Sequence, residues 1–360
     1  MSEHGLRVGI VGADTKASWA KVSHVPAVQG LPGLRLAAVA TRHEATAREA
    51  AEAFGAEHWF ADPSEMVRSN AVDLVTVAVR VPAHRELVLA ALAAGKAVYC
   101  EAPLGRSVAE AEEMAAAAAG RFAAIGLQAR RNPAARRAAE LIAAGAIGRP
   151  LNARVVSTSA GFGPELPAAY DYFNKADSGA NLSTITAGHT LDLIEAVLGP
   201  VAEVDAREAI LWPRVKLIDT GAVAERETAD QLAVLGLTRS GCVFTVDVNG
   251  GVAPEDVRFV FEVRGSAGWL SLTGGHPYGF QAGDLRLEAS AAFDPPEPPA
   301  VSGGLMDAAI NVGEVYAQLA RDLRGGTHHI AGFDHALRNS RLIEAVGRAA
   351  ESGERQTVAG

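Results

Sequence analysis

The chain has 360 residues, 49% of them hydrophobic and 21% charged, with a formal net charge of -9. That length exceeds one typical core and predicts two domains, while the acidic balance, without clustered Lys and Arg, excludes an ordinary nucleic-acid surface. The two cysteines, Cys100 and Cys242, stand far apart with no Cys or His at ligand spacing, which excludes a disulfide framework and a zinc site; no metal is expected.

No uncharged apolar run reaches the ~18 residues of a membrane span. The polar start leaves no room for a signal peptide before Leu6, so a cytoplasmic location is expected.

In chain order, the β-branched run of Val8, Ile10 and Val11 reads as a buried first strand that ends at Gly12. Helical turns are expected at Val25 to Gln29, a strand at Leu34 to Ala40, a helix at Glu44 to Phe54, a short strand at Trp59 and Phe60, and a helix at Pro63 to Arg68. The series continues with a strand at Leu74 to Val79, a helix at His84 to Ala94, a strand at Ala97 to Cys100, a helix at Val108 to Ala119 and a strand at Ala123 to Gln128. Strands and helices alternating at short intervals predict a doubly wound, mostly parallel sheet.

After Asn132-Pro133 the rhythm changes. A helix from Ala134 to Ala144 precedes longer runs, several of them alternating, at Leu151 to Ser159, Val201 to Ile210, Gln231 to Leu237, Cys242 to Val248, Arg258 to Arg264 and Trp269 to Thr273. These predict an α+β domain with a large open, mostly antiparallel sheet, whose free face suits a homodimer or homotetramer contact. A proline-rich loop, Asp294 to Gly304, and two helices, Asp307 to Leu323 and Phe333 to Glu351, close the chain. The expected domains are 1–130, for dinucleotide binding, and 131–360, with the last helix able to pack back near the first domain.

The turn after the first strand reads Gly12-Ala-Asp14-Thr15-Lys16-Ala-Ser18-Trp19. A pyrophosphate-cradling fingerprint has glycine where Asp14 stands, and a carboxylate repels phosphate; Thr15, Lys16 and Ser18 could offset it from their side chains. The plainer alternative is an ordinary loop after a buried strand. The second strand ends in Thr41-Arg42. A cation and a hydroxyl there suit a 2′-phosphate, whereas NAD calls for an acidic residue, so NADP is expected over NAD; the alternative is a solvated arginine opening a helix.

Two further segments leave the carboxyl ends of predicted strands: Val79-Arg-Val-Pro82-Ala-His84, and Ala94-Gly-Lys96 through Glu101-Ala102-Pro103. With Val8-Gly-Ile-Val-Gly12, Ile142-x-x-Gly145-x-Ile147-Gly148 and Phe333-x-x-Ala336-Leu337, they resemble the Gfo/Idh/MocA oxidoreductases over nearly the whole chain. The resemblance implies a Rossmann domain followed by a substrate domain, with hydride transfer at a sugar or polyol carbon. Val79, Pro82, His84 and Glu101 to Pro103 would then shape the cofactor pocket.

Two departures stand out. Ala102 replaces the family lysine that contacts the reacting oxygen, a loss of charge stabilisation worth on the order of a few kcal/mol. Ile185 stands where the family has Asp, four residues before His189.

His189 can move a proton near neutral pH, or alternatively cap the helix running to Leu198. Tyr170, Tyr172, Lys175 and Asn181 precede it and could supply donors or substrate contacts; a tyrosine-bearing surface loop is the alternative. Gln128 and Arg130, at the domain junction, could touch the nicotinamide amide or the substrate; a structural role at the junction is an equal alternative. Asp192, three residues beyond His189, fits pairing within its helix. Together with Trp19, these features resemble the branch holding the fungal galactose-pathway repressor.

Two functions are therefore expected. The first is an NADP-dependent oxidoreductase acting on a sugar-like or other small hydroxyl or carbonyl substrate, with His189 handling the proton. The alternative is a non-catalytic NADP-binding sensor acting through a protein partner.

Overall fold

A computed structural model describes residues 5–16, 18–301 and 308–358. By contact density the chain forms two units, Met1–Gln128 with Pro299–Leu337, and Ala129–Pro298 with Arg338–Gly360.

In the first unit, β1 (Leu6–Val11), β2 (Leu34–Ala40), β3 (His58–Phe60), β4 (Leu74–Val77), β5 (Ala97–Glu101) and β6 (Ala123–Gly126) form one parallel sheet of order 3-2-1-4-5-6. Helices α1 (Trp19–Val22), α2 (His24–Gly30), α3 (Glu44–Phe54), α4 (Pro63–Arg68), α5 (His84–Ala93) and α6 (Val108–Ala117) fill the crossovers. Val8, Ile10, Leu74 and Val75 are fully buried, as strands covered on both faces require. The strand order reverses between β1 and β4, the place where such sheets bind ligands.

The strand expected to reach Val79 ends at Val77, because the chain turns into a 3-10 segment at Val81–Ala83. The strand expected to reach Gln128 ends at Gly126. The helical turns expected at Val25 to Gln29 lie within α2, and a further short helix, α1, precedes it across Ser23.

The domain boundary expected at 130 is not a single cut, since Pro299–Leu337 belongs to the first unit. Val312, Val315 and Tyr316 enter the core built on Val8, Ile10 and α2, and the Ile125 N–H donates to the Ala331 carbonyl at 3.0 Å. Apolar spacing alone does not say which sheet a helix covers.

In the second unit, α7 (Pro133–Ala143) precedes β7 (Pro150–Thr158), β8 (Glu165–Leu166), α8 (Thr186–Leu198), β9 (Val201–Ala209), β10 (Arg214–Leu217), β11 (Val223–Glu225), β12 (Gln231–Thr238), β13 (Val243–Asn249), β14 (Phe259–Gly265), β15 (Trp269–Gly274) and β16 (Leu285–Ala289). With β17 (Gln356–Thr357), the large sheet runs 16-15-14-7-13-12-9-17, antiparallel except for the β13–β7 pair. β11, β10 and β8 form a separate small sheet that the sequence did not announce.

The alternation in β12 buries Leu232 and Val234 and turns Ala233 and Leu235 outward. α8 is buried through most of its length beneath the covered face. The closing helices are α9 (Ala308–Gly325) and α10 (Phe333–Ser352). The start expected for α9 at Asp307, and the loop end at Gly304, lie outside the described residues.

Candidate functional site

Gly12 ends β1 with φ at +95°, and a Cβ there would lie 2.4 Å from the Ala78 carbonyl oxygen and 2.8 Å from Val79 Cγ1. Only glycine lets the turn press against the exit of β4. The loop beyond is bound to itself. The Lys16 N–H donates to Asp14 Oδ1 at 2.8 Å, Ser18 Oγ donates to the Asp14 carbonyl at 2.9 Å, and Lys21 Nζ donates to the Thr15 carbonyl at 2.6 Å.

Asp14 is thus a turn-former, its carboxylate directed at a backbone N–H. The offsetting groups expected beside it are partly committed. Thr15 bonds Glu49 and Ser18 caps α1, so Lys16 alone keeps its charge unpaired among the described residues. The Trp19 indole N–H is buried without an acceptor among the described residues.

At the end of β2, the Thr41 hydroxyl bonds the His43 carbonyl at 3.0 Å and the Thr46 hydroxyl at 2.6 Å. Arg42 is exposed and has no ion-pair partner among the described residues. Of the two residues expected to meet a 2′-phosphate, the arginine is free and the threonine shapes the turn into α3.

His84 opens α5 at 1% exposure. Its Nε2 faces the Val79 carbonyl at 2.9 Å, and its Nδ1 faces the carbonyls of Pro103 and Leu104 at 3.1 and 3.2 Å. The ring bridges the loops that follow β4 and β5. Burial pushes its pKa down, opposed by those carbonyls and by Glu101. Pro82 lies exposed on the 3-10 turn just before it.

Glu101 ends β5 opposite Gly126 on β6, where a Cβ would come 2.7 Å from Glu101 Oε1. The same Oε1 is 3.0 Å from His24 Nε2. Ala102 follows, half-buried against the core with Val79, and Pro103 completes the turn. The methyl group of Ala102 offers no donor where the resemblance placed a lysine. Gln128 is 1% exposed, with its side-chain oxygen buried and unpaired among the described residues.

In the second unit, His189 lies inside the first turn of α8 at 3% exposure, and Ile185 occupies the N-cap position. The capping alternative for His189 is therefore not what the structure shows. One turn on, the Asp192 carboxylate accepts from the Arg130 guanidinium at 2.7 Å, with Asp192 side-chain exposure of 2%. Arg130 is thus anchored to α8, and Asp192 has a partner outside its own helix. Sequence spacing pointed to helix neighbours because the 62 residues separating the pair carry no local signal.

Asn181 and Thr184 close the loop that enters α8, with the Thr184 N–H donating to Asn181 Oδ1 at 3.0 Å. Tyr170 and Tyr172 sit in an aromatic cluster around Phe173, at ring separations of 5.7 and 4.4 Å. Lys175 turns to Glu227, at 3.4 Å, and to the Glu225 carbonyl. These three expected donors belong to the 3-10 segment Ala168–Asn174 and its exit, and His189 belongs to α8.

The residues fit a dinucleotide. The close Gly12 turn at the strand-order reversal, the unmatched indole N–H of Trp19 and amide oxygen of Gln128, and the free Arg42 supply a backbone cradle, a donor, an acceptor and a cation. No group of His, Cys, Asp or Glu able to hold a metal occurs among the described residues.

A family description reading "Oxidoreductase family, NAD-binding Rossmann fold" (GFO_IDH_MocA) matches residues 6–126, and one reading "Gal80p, C-terminal domain" matches residues 133–274. The chain belongs to the Gfo/Idh/MocA oxidoreductases, with a Gal80p-like C-terminal domain. Within this family it is 28% identical to dehydrogenase aclE of Aspergillus oryzae, over 97% of each chain. It is 27% identical to the galactose/lactose metabolism regulatory protein GAL80 of Kluyveromyces lactis, over 76% of this chain and 65% of that one. A solved levoglucosan dehydrogenase, in complex with NADH and L-sorbose, shares the fold with a TM-score of 0.83 at 21% identity, covering 99% of each chain.

Three residues tied to this site escaped the sequence reading: His24, Thr76 and Tyr316. Their only signal was a polar group inside an apolar run, such as the threonine of Leu-Val-Thr-Val in β4.

Proposed function

We propose that this Gfo/Idh/MocA member is an NADP-dependent oxidoreductase for a sugar-like or other small hydroxyl or carbonyl compound. The observation that carries the reading is the unpartnered Arg42 at the end of β2, in a sheet whose order reverses beside the Gly12 turn. A free guanidinium is suited to a 2′-phosphate, which it can engage with two parallel hydrogen bonds.

Bound nicotinamide would supply two-electron hydride chemistry. The chain must supply the proton balance at the substrate oxygen, and His189 is the group we assign to it. Tyr170, Tyr172, Lys175 and Asn181 stay as the nearby polar set from which a substrate contact is drawn, with Gln128 as acceptor for the nicotinamide amide. We place the protein in the cytoplasm as a homo-oligomer joined through the open face of the large sheet, where Leu235, Val243 and Trp269 are exposed. Light scattering on the eluting protein reads the subunit count, and a monomer would refute that contact.

One observation favours a second reading. Ala102 and Ile185 remove the family's lysine and aspartate from the chemistry, and a GAL80 regulatory protein is among the relatives. A non-catalytic NADP sensor would need the cofactor pocket and a protein partner, but no proton donor.

One experiment separates the two. Binding of NADPH, NADP, NADH and NAD is measured on the purified protein, and absorbance change is then followed with a panel of sugars, polyols and ketones. Turnover of any member with NADP(H) supports the enzyme. Tight binding with no oxidation or reduction across the panel supports the sensor, and equal affinity for both cofactor pairs refutes the 2′-phosphate assignment.

A further inference from the structure

Four buried side chains in the first unit form one continuous line. Thr76 Oγ1 lies 2.7 Å from the Tyr316 hydroxyl, which lies 3.0 Å from His24 Nδ1; His24 Nε2 lies 3.0 Å from Glu101 Oε1. Thr76, Tyr316 and His24 are each 0% exposed, whereas the Glu101 side chain is 13% exposed. The line therefore starts in the middle of β4, passes through α9 and the head of α2, and ends on the one member that reaches solvent.

Hydrogen-bond chemistry fixes its direction. A carboxylate only accepts, so His24 Nε2 carries a hydrogen. In the neutral ring Nδ1 is then the acceptor, and the Tyr316 hydroxyl donates to it. Burial raises the Tyr316 pKa far above its ordinary value, so this phenol keeps its proton. Its oxygen is left to accept from Thr76. Each member thus orients the next, from threonine to carboxylate.

The packing around the line leaves little freedom. Tyr99 and Tyr316 meet His24 edge-on at ring separations of 5.0 and 5.7 Å, and Tyr99 meets Tyr316 at 4.9 Å. Gly126 opposite Glu101 gives the carboxylate its space, since a Cβ there would come within 2.7 Å of Oε1. Three buried polar groups inside apolar elements are costly unless each is bonded, and here each is bonded toward Glu101.

We propose that His24 is the positioning residue for the Glu101 carboxylate, with its tautomer set by Tyr316 and Thr76, and that this relay ties α9 to the loop carrying Ala102 and Pro103. The functional part of this assignment rests on the oxidoreductase reading. With Ala102 in place of a cation, Glu101 is a carboxylate directly beside that turn, and its fixed aim would matter to a reacting oxygen nearby.

The test uses the full chain with ¹⁵N-labelled histidine, the His24 signals being assigned by their loss in His24→Gln. A ring protonated at Nε2, with Nδ1 as a hydrogen-bonded acceptor, is expected in the wild type. Tyr316→Phe keeps the aromatic packing and should turn that single tautomer into a mixture. Tyr316→Phe should also lower turnover by roughly tenfold, the size seen when an outer hydrogen-bond partner is removed, with cofactor affinity unchanged. In a Glu101→Gln background it should add nothing further.

A ring protonated at Nδ1 in the wild type would overturn the relay. So would an undiminished Tyr316→Phe effect in the Glu101→Gln background, which is what a merely structural role would give. If the wild type turns over no substrate, the oxidoreductase reading fails, and the tautomer measurement still decides whether Tyr316 orients His24.

Discussion

The two units hold their buried polar groups by different means. In the first, the histidines flanking the end of β5 face neutral or singly charged partners: His84 three carbonyls, His24 a hydroxyl and a carboxylate. In the second, the anchors are guanidinium–carboxylate pairs. Arg130 meets Asp192, and Arg226, at 1% side-chain exposure, meets Asp230 while donating to Asn174 and to the carbonyls of Phe162 and Gly163.

Such pairs as a class keep their charges across the neutral range, and imidazoles do not. The contrast teaches that the loops expected around a nicotinamide are held by imidazole hydrogen bonds. The second unit is held by paired charges.

The sharpest break of this contrast is Asp230→Ala. It leaves Arg226 buried against carbonyls with its carboxylate removed, and the loss should be about 3–5 kcal/mol, seen as a lower denaturant midpoint for the second unit. A change under about 1 kcal/mol would mean that the three remaining acceptors hold the guanidinium unaided.

Next in size is His189→Ala. If this histidine carries the proton, turnover should fall by roughly a hundredfold or more while cofactor affinity is unchanged, read by steady-state kinetics beside a binding titration. Loss of affinity and turnover together would assign His189 to folding of α8 instead.

Arg42→Ala should weaken NADP by roughly tenfold or more and leave NAD nearly unaffected, a change confined to the first unit. Equilibrium titration with both cofactors checks it.

The smallest effect separates the two anchoring modes by pH. Burial holds the His84 imidazole below its ordinary 6.5, so the unfolded chain takes up the proton more readily than the folded one. As pH falls below 6.5 toward the folded value, stability should therefore drop; above 6.5 both states are neutral and the contribution is constant. His84→Gln should flatten that part of the stability curve, measured as Tm against pH, whereas Asp192→Asn should lower Tm without changing the slope there.

Much of the first unit was legible because its signals are local. Glu44–Phe54, Pro63–Arg68 and Leu34–Ala40 were expected at the limits the structure gives them. Each has period, punctuation or a cap within its own residues, such as Asp62 accepting from the Ser64 N–H before Pro63. The small β11-β10-β8 sheet was not legible, since its strands are short and two of them pair only through a distant segment.

The candidate site divides in the same way. Gly12, Arg42, Glu101 and His189 stand at element ends, where residue type alone suggested a role. The partners that fix them, His24 for Glu101 and Arg130 for Asp192 beside His189, lie 77 and 62 residues away.

By itself the sequence determined the alternation of elements, the two-domain plan and the family resemblance, because periodicity and motif are properties of neighbouring residues. Only the tertiary structure decided that Asp14 forms a turn, that His84 bridges two loops, that Pro299–Leu337 returns to the first sheet, and that Tyr316 from that segment reaches His24. Those outcomes depend on which distant surfaces exclude water together. Burial then fixes which polar groups must find each other.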